Sequence, residues 1–167
     1  IGHFHYVVAP GTIFALFAGI YYWFPKATGR KMNEVLGRIH FAGSFICMNL
    51  IFMPMMIQGL GGMNRRLYDG GAQYAHNAGL LKWHITIGMA AWTMSLFQIP
   101  FIFNFFWSMF KGQKVNDNPW EATTLEWSAP SPPGHGNFLT EPVVYRGPYE
   151  YSVPGAKKDF TPQFEPE

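Results

Sequence analysis

The sequence predicts an all-α membrane protein, three transmembrane helices followed by an extended, mostly irregular tail. Three observations carry this. Long apolar runs cover residues 2–24, 39–60 and 83–110, and each has the roughly twenty residues that a helix needs to cross a bilayer. Of the 167 residues 49% are hydrophobic and 18% aromatic, while only 13% are charged, well below the roughly 25% typical of soluble domains. From Lys111 onward prolines and glycines interrupt the chain and no helical or alternating period persists. The expected organisation is a transmembrane region over 1–110 and a tail over 111–167.

The net charge of +2 is too small to imply a nucleic-acid partner. The single cysteine, Cys47, lies inside an apolar run, so an internal disulfide is excluded and a packing role is expected. The chain begins without Met or a charged leader, already inside an apolar helix. It reads as the C-terminal piece of a longer membrane protein, or the second half of a split one.

The first run carries His3 and His5 at its head, with no charge until Lys26. At about 100° per residue on a helix the two imidazoles point roughly 200° apart, so they serve two partners rather than one ion. On a strand they would share a face, but the apolar length argues against a strand. A histidine at the end of a membrane helix is ordinarily interfacial or internally satisfied. Two on opposite faces weaken that reading, because an unpaired polar group in a membrane is costly. A flat, apolar, iron-bearing group on each side, hence two haems, fits the pattern best. Pro10-Gly11 is expected to kink the helix, and Tyr21-Tyr22-Trp23 to close it as an interfacial belt.

Pro25 to Arg38 reads as a polar loop in which Lys26, Arg30, Lys31 and Arg38 outnumber the one acid, Glu34. Such loops stay on the cytoplasmic side, which puts His3 and His5 near the outer face. The second run has His40 near its inner end, read as interfacial, then Asn49 and Gln58, which should find partners on neighbouring helices. It exits into a loop containing Arg65-Arg66. Positive charge is disfavoured on the outer side, so this pair needs a local reason. Haem propionates supply one, since arginine pairs carboxylates through a fixed fork of donors; snorkelling to lipid phosphate is the simpler alternative. His76 and His84 follow on the same side and are not expected to bind iron. The tail, with Trp120, Trp127, Phe138, Tyr145, Tyr149, Tyr151 and Phe160 and a turn signal at Val153-Pro154-Gly155, is expected to be a strap packing on partner surfaces on the cytoplasmic side.

An ordered set of stretches then carries a resemblance. His3-Phe4-His5-Tyr6-Val7, Tyr22-Trp23-Phe24-Pro25, Asn33-Glu34, Ile39-His40-Phe41, Asn49-Leu50-Ile51-Phe52-Met53-Pro54 and Gly62-Met63-Asn64-Arg65-Arg66 resemble the last three transmembrane helices of subunit I of haem-copper oxidases, in the cytochrome c oxidase branch. Asn118-Pro119-Trp120, Thr124-Leu125-Glu126-Trp127 and Pro130-Ser131-Pro132-Pro133 are similar to the bacterial C-terminal extension. The resemblance covers nearly the whole chain and implies a twelve-helix-type bundle in a bacterial cytoplasmic membrane.

It implies that His3 binds the high-spin haem iron and His5 the low-spin haem iron. Phe4 would lie between the haems, Arg65 and Arg66 on the propionates, and Phe52 along the haem pocket. The cofactors implied are two haems, taken as the a type, and a copper centre whose ligands lie outside this chain. The partners implied are the remainder of subunit I, the other oxidase subunits, cytochrome c, O2 and the lipid bilayer. The reaction implied is reduction of O2 to water coupled to proton translocation. Asn64 stands where the family usually has proline. The copper ligands, the second low-spin haem ligand and the proton-channel entries all lie upstream, so this chain alone is not expected to be active. Two other readings stand beside this one: a non-catalytic membrane electron carrier with two b-type haems, and a structural helical subunit without cofactor.

Overall fold

The computed structural model describes residues 1–150, 154, 155, 157 and 160–166. Tyr151 and Val153, counted above among the tail aromatics and turn signals, lie outside the described residues. Three helices dominate: α1 Gly2–Thr28, α2 Glu34–Leu60 and α3 Lys82–Lys111. All three are long and apolar enough to cross a membrane. With 27, 27 and 30 residues, each exceeds the roughly 20 residues a spanning helix requires.

The helices overrun their expected limits at both ends of the first polar loop, which shrinks to residues 29–33. α1 continues through Pro25 and stops where Gly29 turns left-handed at φ +66°, with its N–H on the Pro25 carbonyl at 2.7 Å. Glycine accepts that conformation without a Cβ clash. α2 starts at Glu34 rather than Ile39. Asn33 caps it, its side-chain oxygen accepting from the Leu36 N–H at 3.0 Å, and Glu34 sits in the positive first turn. The assigned helix is also continuous through Pro10-Gly11.

The chain forms two compact units. The first comprises Ile1–Gly19 and Asn33–Phe106. Its core is Met48, Ile51 and Phe52 of α2 with Ala90 of α3, and Tyr6, Ala9 and Phe14 of α1 pack against it. α2 is the central helix: 44% of its span is buried, against 6% for α1 and for α3. Polar side chains fix the helix register inside this unit. Asn104, fully buried, donates to the Asn33 carbonyl and accepts from the Asn33 N–H, both at 2.8 Å. His40, expected at the interface, is instead 2% exposed. The Gln98 amide donates to Ser44 Oγ and to the Met94 carbonyl, each at 3.0 Å, so its oxygen accepts from His40 Nε2–H at 3.1 Å. The rings of Phe17 and Phe101 pack on the imidazole. A partner on α3 thus draws His40 inward.

The second unit comprises Ile20–Met32 and Trp107–Glu167. β1 (Arg30–Lys31) pairs antiparallel with β2 (Gln113–Lys114). The fully buried Trp127 stacks on Trp23, centroids 5.5 Å apart, and Trp120 Nε1–H donates to the Tyr22 carbonyl at 2.9 Å. Lys26 reaches the carbonyls of Ala129 and Asp117 at 2.6 and 3.1 Å and lies over the Trp127 ring. These tail aromatics were expected on partner surfaces. They pack on the chain's own Tyr22 and Trp23, with Trp120 stacked on Tyr22 and Trp127 on Trp23. Leu139 and Tyr149 remain exposed.

Candidate functional site

The first turn of α1 is set by its approach to α2. Gly2 is buried, and a Cβ there would lie 2.6 Å from the Met56 backbone nitrogen. One turn on, the Tyr6 hydroxyl donates to Asn49 Oδ1. Gly2 and Tyr6 therefore mark the face of α1 turned to α2. At about 100° per residue, His5 lies roughly 60° to one side of Gly2 and His3 roughly 100° to the other, with Phe4 between them on the far side. His3, Phe4 and His5 are all exposed.

The His5 ring is oriented. Its Nδ1 lies 3.0 Å from the Ile1 carbonyl. A carbonyl only accepts, so Nδ1 carries a proton and Nε2 is the nitrogen whose lone pair could serve a metal. Phe52 stacks on this imidazole at 6.0 Å and 29°, and Phe4 meets it edge-on at 5.3 Å. Phe52, expected to line a haem pocket, is thus a mostly buried wall behind His5.

Arg65 and Arg66 are exposed in the turn after α2. That turn is closed by Gly61, whose N–H reaches the Ile57 carbonyl at 2.9 Å, and by the Met63 N–H on the Gln58 carbonyl at 3.0 Å. Both arginines line a cleft of about 440 Å³ with Ile1, Gly2, Gln58 and His84. The structure therefore brings the arginines to the end of the helix that carries His3 and His5, while the two histidines lie outside that cleft. Asn64 lines it as well. A second, mostly apolar groove of about 210 Å³ runs past Phe14, Phe17, Met48 and Phe52.

His84 is the residue that sequence reasoning undervalued, and Gln58 is its partner. Gln58 was expected to find an interhelical partner and does: its amide reaches the Leu80 carbonyl and His84. His84 was read only as an outer-face residue. Its ring nitrogens contact Gln58 and the Gly70 carbonyl. The glycine pair in the loop was the available signal, since glycines let a backbone approach a ring closely.

Residues 1–92 match the family model described as Cytochrome C and Quinol oxidase polypeptide I. The chain belongs to this cytochrome c and quinol oxidase polypeptide I family. It is 52% identical over 153 residues to cytochrome c oxidase subunit 1 of Synechocystis sp., covering 92% of this chain and 27% of that protein. It is 46% identical over 170 residues to the alternative cytochrome c oxidase subunit 1 of Bradyrhizobium diazoefficiens, covering 99% of this chain and 28% of that protein. A Bacillus subtilis cytochrome c oxidase subunit 1 is 36% identical over 145 residues, with 86% and 23% covered. The chain thus spans about a quarter of the length of these oxidase relatives. The family match takes in α1, α2, the arginine turn and the start of α3.

Proposed function

We infer that this chain is the C-terminal portion of the catalytic subunit of a terminal respiratory oxidase, one that reduces O2 to water with electrons from cytochrome c and couples this to proton translocation. The observation that supports the reading is that Gly2 and Tyr6 face α2, which at about 100° per residue sets His3 and His5 to either side of that line. His5 also has its Nε2 lone pair directed away from its own helix backbone.

The residues present fit axial ligation by one imidazole on each side. His5 already has the carbonyl partner that a ligating histidine needs on its other nitrogen. The scarcity of buried positions along α1 leaves room for flat apolar groups against it. On this reading His3 holds the high-spin haem iron and His5 the low-spin haem iron. Phe4 stands between the haems, Phe52 keeps the His5 ring in its plane, and Arg65 and Arg66 pair with propionates. When bound, the haems and a copper centre held by upstream residues supply the redox chemistry. This chain's part is to ligate, to orient the rings and to place positive charge beside carboxylates.

Arg30 and Lys31 between α1 and α2, with Lys26 in the last turn of α1 and Arg38 near the start of α2, favour a cytoplasmic side for that loop and for the tail. The membrane is then a bacterial cytoplasmic membrane, and the partners are the rest of subunit I and the other oxidase subunits. Optical and resonance Raman spectra of the assembled enzyme test the assignment. His5→Ala abolishes the six-coordinate haem signal, and His3→Ala abolishes the carbon-monoxide-binding haem. Retention of both signals in both variants contradicts the ligand assignment. Elemental copper separates an oxidase from a carrier with two b-type haems.

A further inference from the structure

The turn that presents Arg65 and Arg66 has a disfavoured backbone. Arg66 and Asp69 are left-handed at φ +61° and +51°, and Gly70 and Gly71 follow at +59° and +85°. Non-glycine residues persist in that region only where their surroundings hold them there.

Both flanking helices supply such a hold. Gln58, 6% exposed near the end of α2, donates one amide hydrogen to the Leu80 carbonyl at 3.2 Å. Its nitrogen also lies 3.3 Å from His84 Nδ1 on α3. The Leu80 carbonyl only accepts, which fixes the orientation of the amide. His84 Nδ1 is then the acceptor, and the ring carries its proton on Nε2. That Nε2–H donates to the Gly70 carbonyl at 3.0 Å. The imidazole also sits close over the turn, since a Cβ on Gly70 would stand 3.4 Å from Nε2. Both ring nitrogens are engaged, so His84 offers no lone pair to a metal. Gln58, Gly70 and His84 line the same cleft as Arg65 and Arg66.

We propose that His84, oriented by Gln58, is a positioning residue for the arginine pair: it holds the Gly70 carbonyl and so fixes where Arg65 and Arg66 meet a carboxylate-bearing group. This rests on the reading of the arginines as a propionate clamp. A guanidinium held in place makes paired, charge-assisted bonds to a carboxylate. Its positive charge disfavours the oxidised form of nearby iron. A loosened turn moves that charge away, and the midpoint potential falls.

Redox titration of the low-spin haem in the complete, assembled oxidase tests this. Arg65→Leu lowers the potential, and His84→Leu lowers it in the same direction by a smaller amount. His84→Gln, which keeps one donor and one acceptor, stays closer to the parent value. Gln58→Leu reproduces the His84→Leu shift, and the double variant adds little, as for two members of one chain of bonds. The proposal is overturned if Arg65→Leu lowers the potential while His84→Leu leaves it unchanged, or if His84→Gln shifts it as far as His84→Leu. An unchanged potential in Arg65→Leu instead removes the propionate clamp, and the role of His84 with it. Should His84→Leu fail to assemble, Gln58→Leu decides: a lowered potential supports the link and an unchanged one overturns it.

Discussion

Single atoms decide how α1 meets α2. Gly2 tolerates no side chain, because a Cβ would fall 2.6 Å from a backbone nitrogen that cannot rotate away. Gly2→Ala is expected to destabilise the helix pair by about 1–3 kcal/mol, the usual range for overpacking. Thermal loss of haem from the assembled enzyme checks this, with a lower midpoint than the parent. Tyr6→Phe removes only the hydrogen bond to Asn49. Interhelical hydrogen bonds in membranes average about 0.6 kcal/mol, so its effect in the same assay is expected to be the smaller of the two. At this scale the sequence was legible where chemistry is local. HxH spacing on a helix implies opposed imidazoles, and the structure adds that Gly2 and Tyr6 of the same stretch face α2. It was not legible where the partner is distant. Nothing near His40 reveals Gln98, 58 positions on, so burial could not be distinguished from an interfacial position.

Helix limits follow the same division between local and distant signals. The three apolar runs gave the helices, because a membrane leaves the backbone no solution but internal hydrogen bonding. Their ends were less legible, since polar residues continue a helix once a cap is available. Asn33-Glu34 is such a cap, and it starts α2 five positions before the apolar run. Asn104 then binds both the N–H and the carbonyl of Asn33, tying α3 to the start of α2. Asn104→Leu leaves a buried donor and acceptor without partners, at about 1–3 kcal/mol for each unsatisfied group. Asn33→Ala keeps those backbone contacts and loses the cap alone, about 1 kcal/mol. Thermal denaturation of the two variants should rank Asn104→Leu as the more damaging. Equal midpoints would place the lock elsewhere.

At the scale of the whole molecule, few positions of α1 and α3 are buried, while nearly half of the α2 span is. Composition could announce apolar faces but not which face another helix covers. The tail shows a similar limit. Its aromatic content signalled packing, but the stacking of Trp127 on Trp23 joins residues about a hundred positions apart. Trp127→Ala removes a fully buried ring, a change that typically costs about 3–5 kcal/mol. Limited proteolysis of the assembled enzyme is expected to cut the variant between residues 112 and 133 much faster than the parent. Equal cleavage rates would mean that the ring does not secure this segment.

All of these scales bear on one proposed arrangement, two imidazoles on opposite flanks of α1. Cryo-EM density of the complete oxidase tests it most directly. The expected result is Nε2 of His3 on one haem iron and Nε2 of His5 on the other, with α2 and the Phe52 ring beside the second. Both imidazoles directed to one side of α1, or either one without iron, would contradict it.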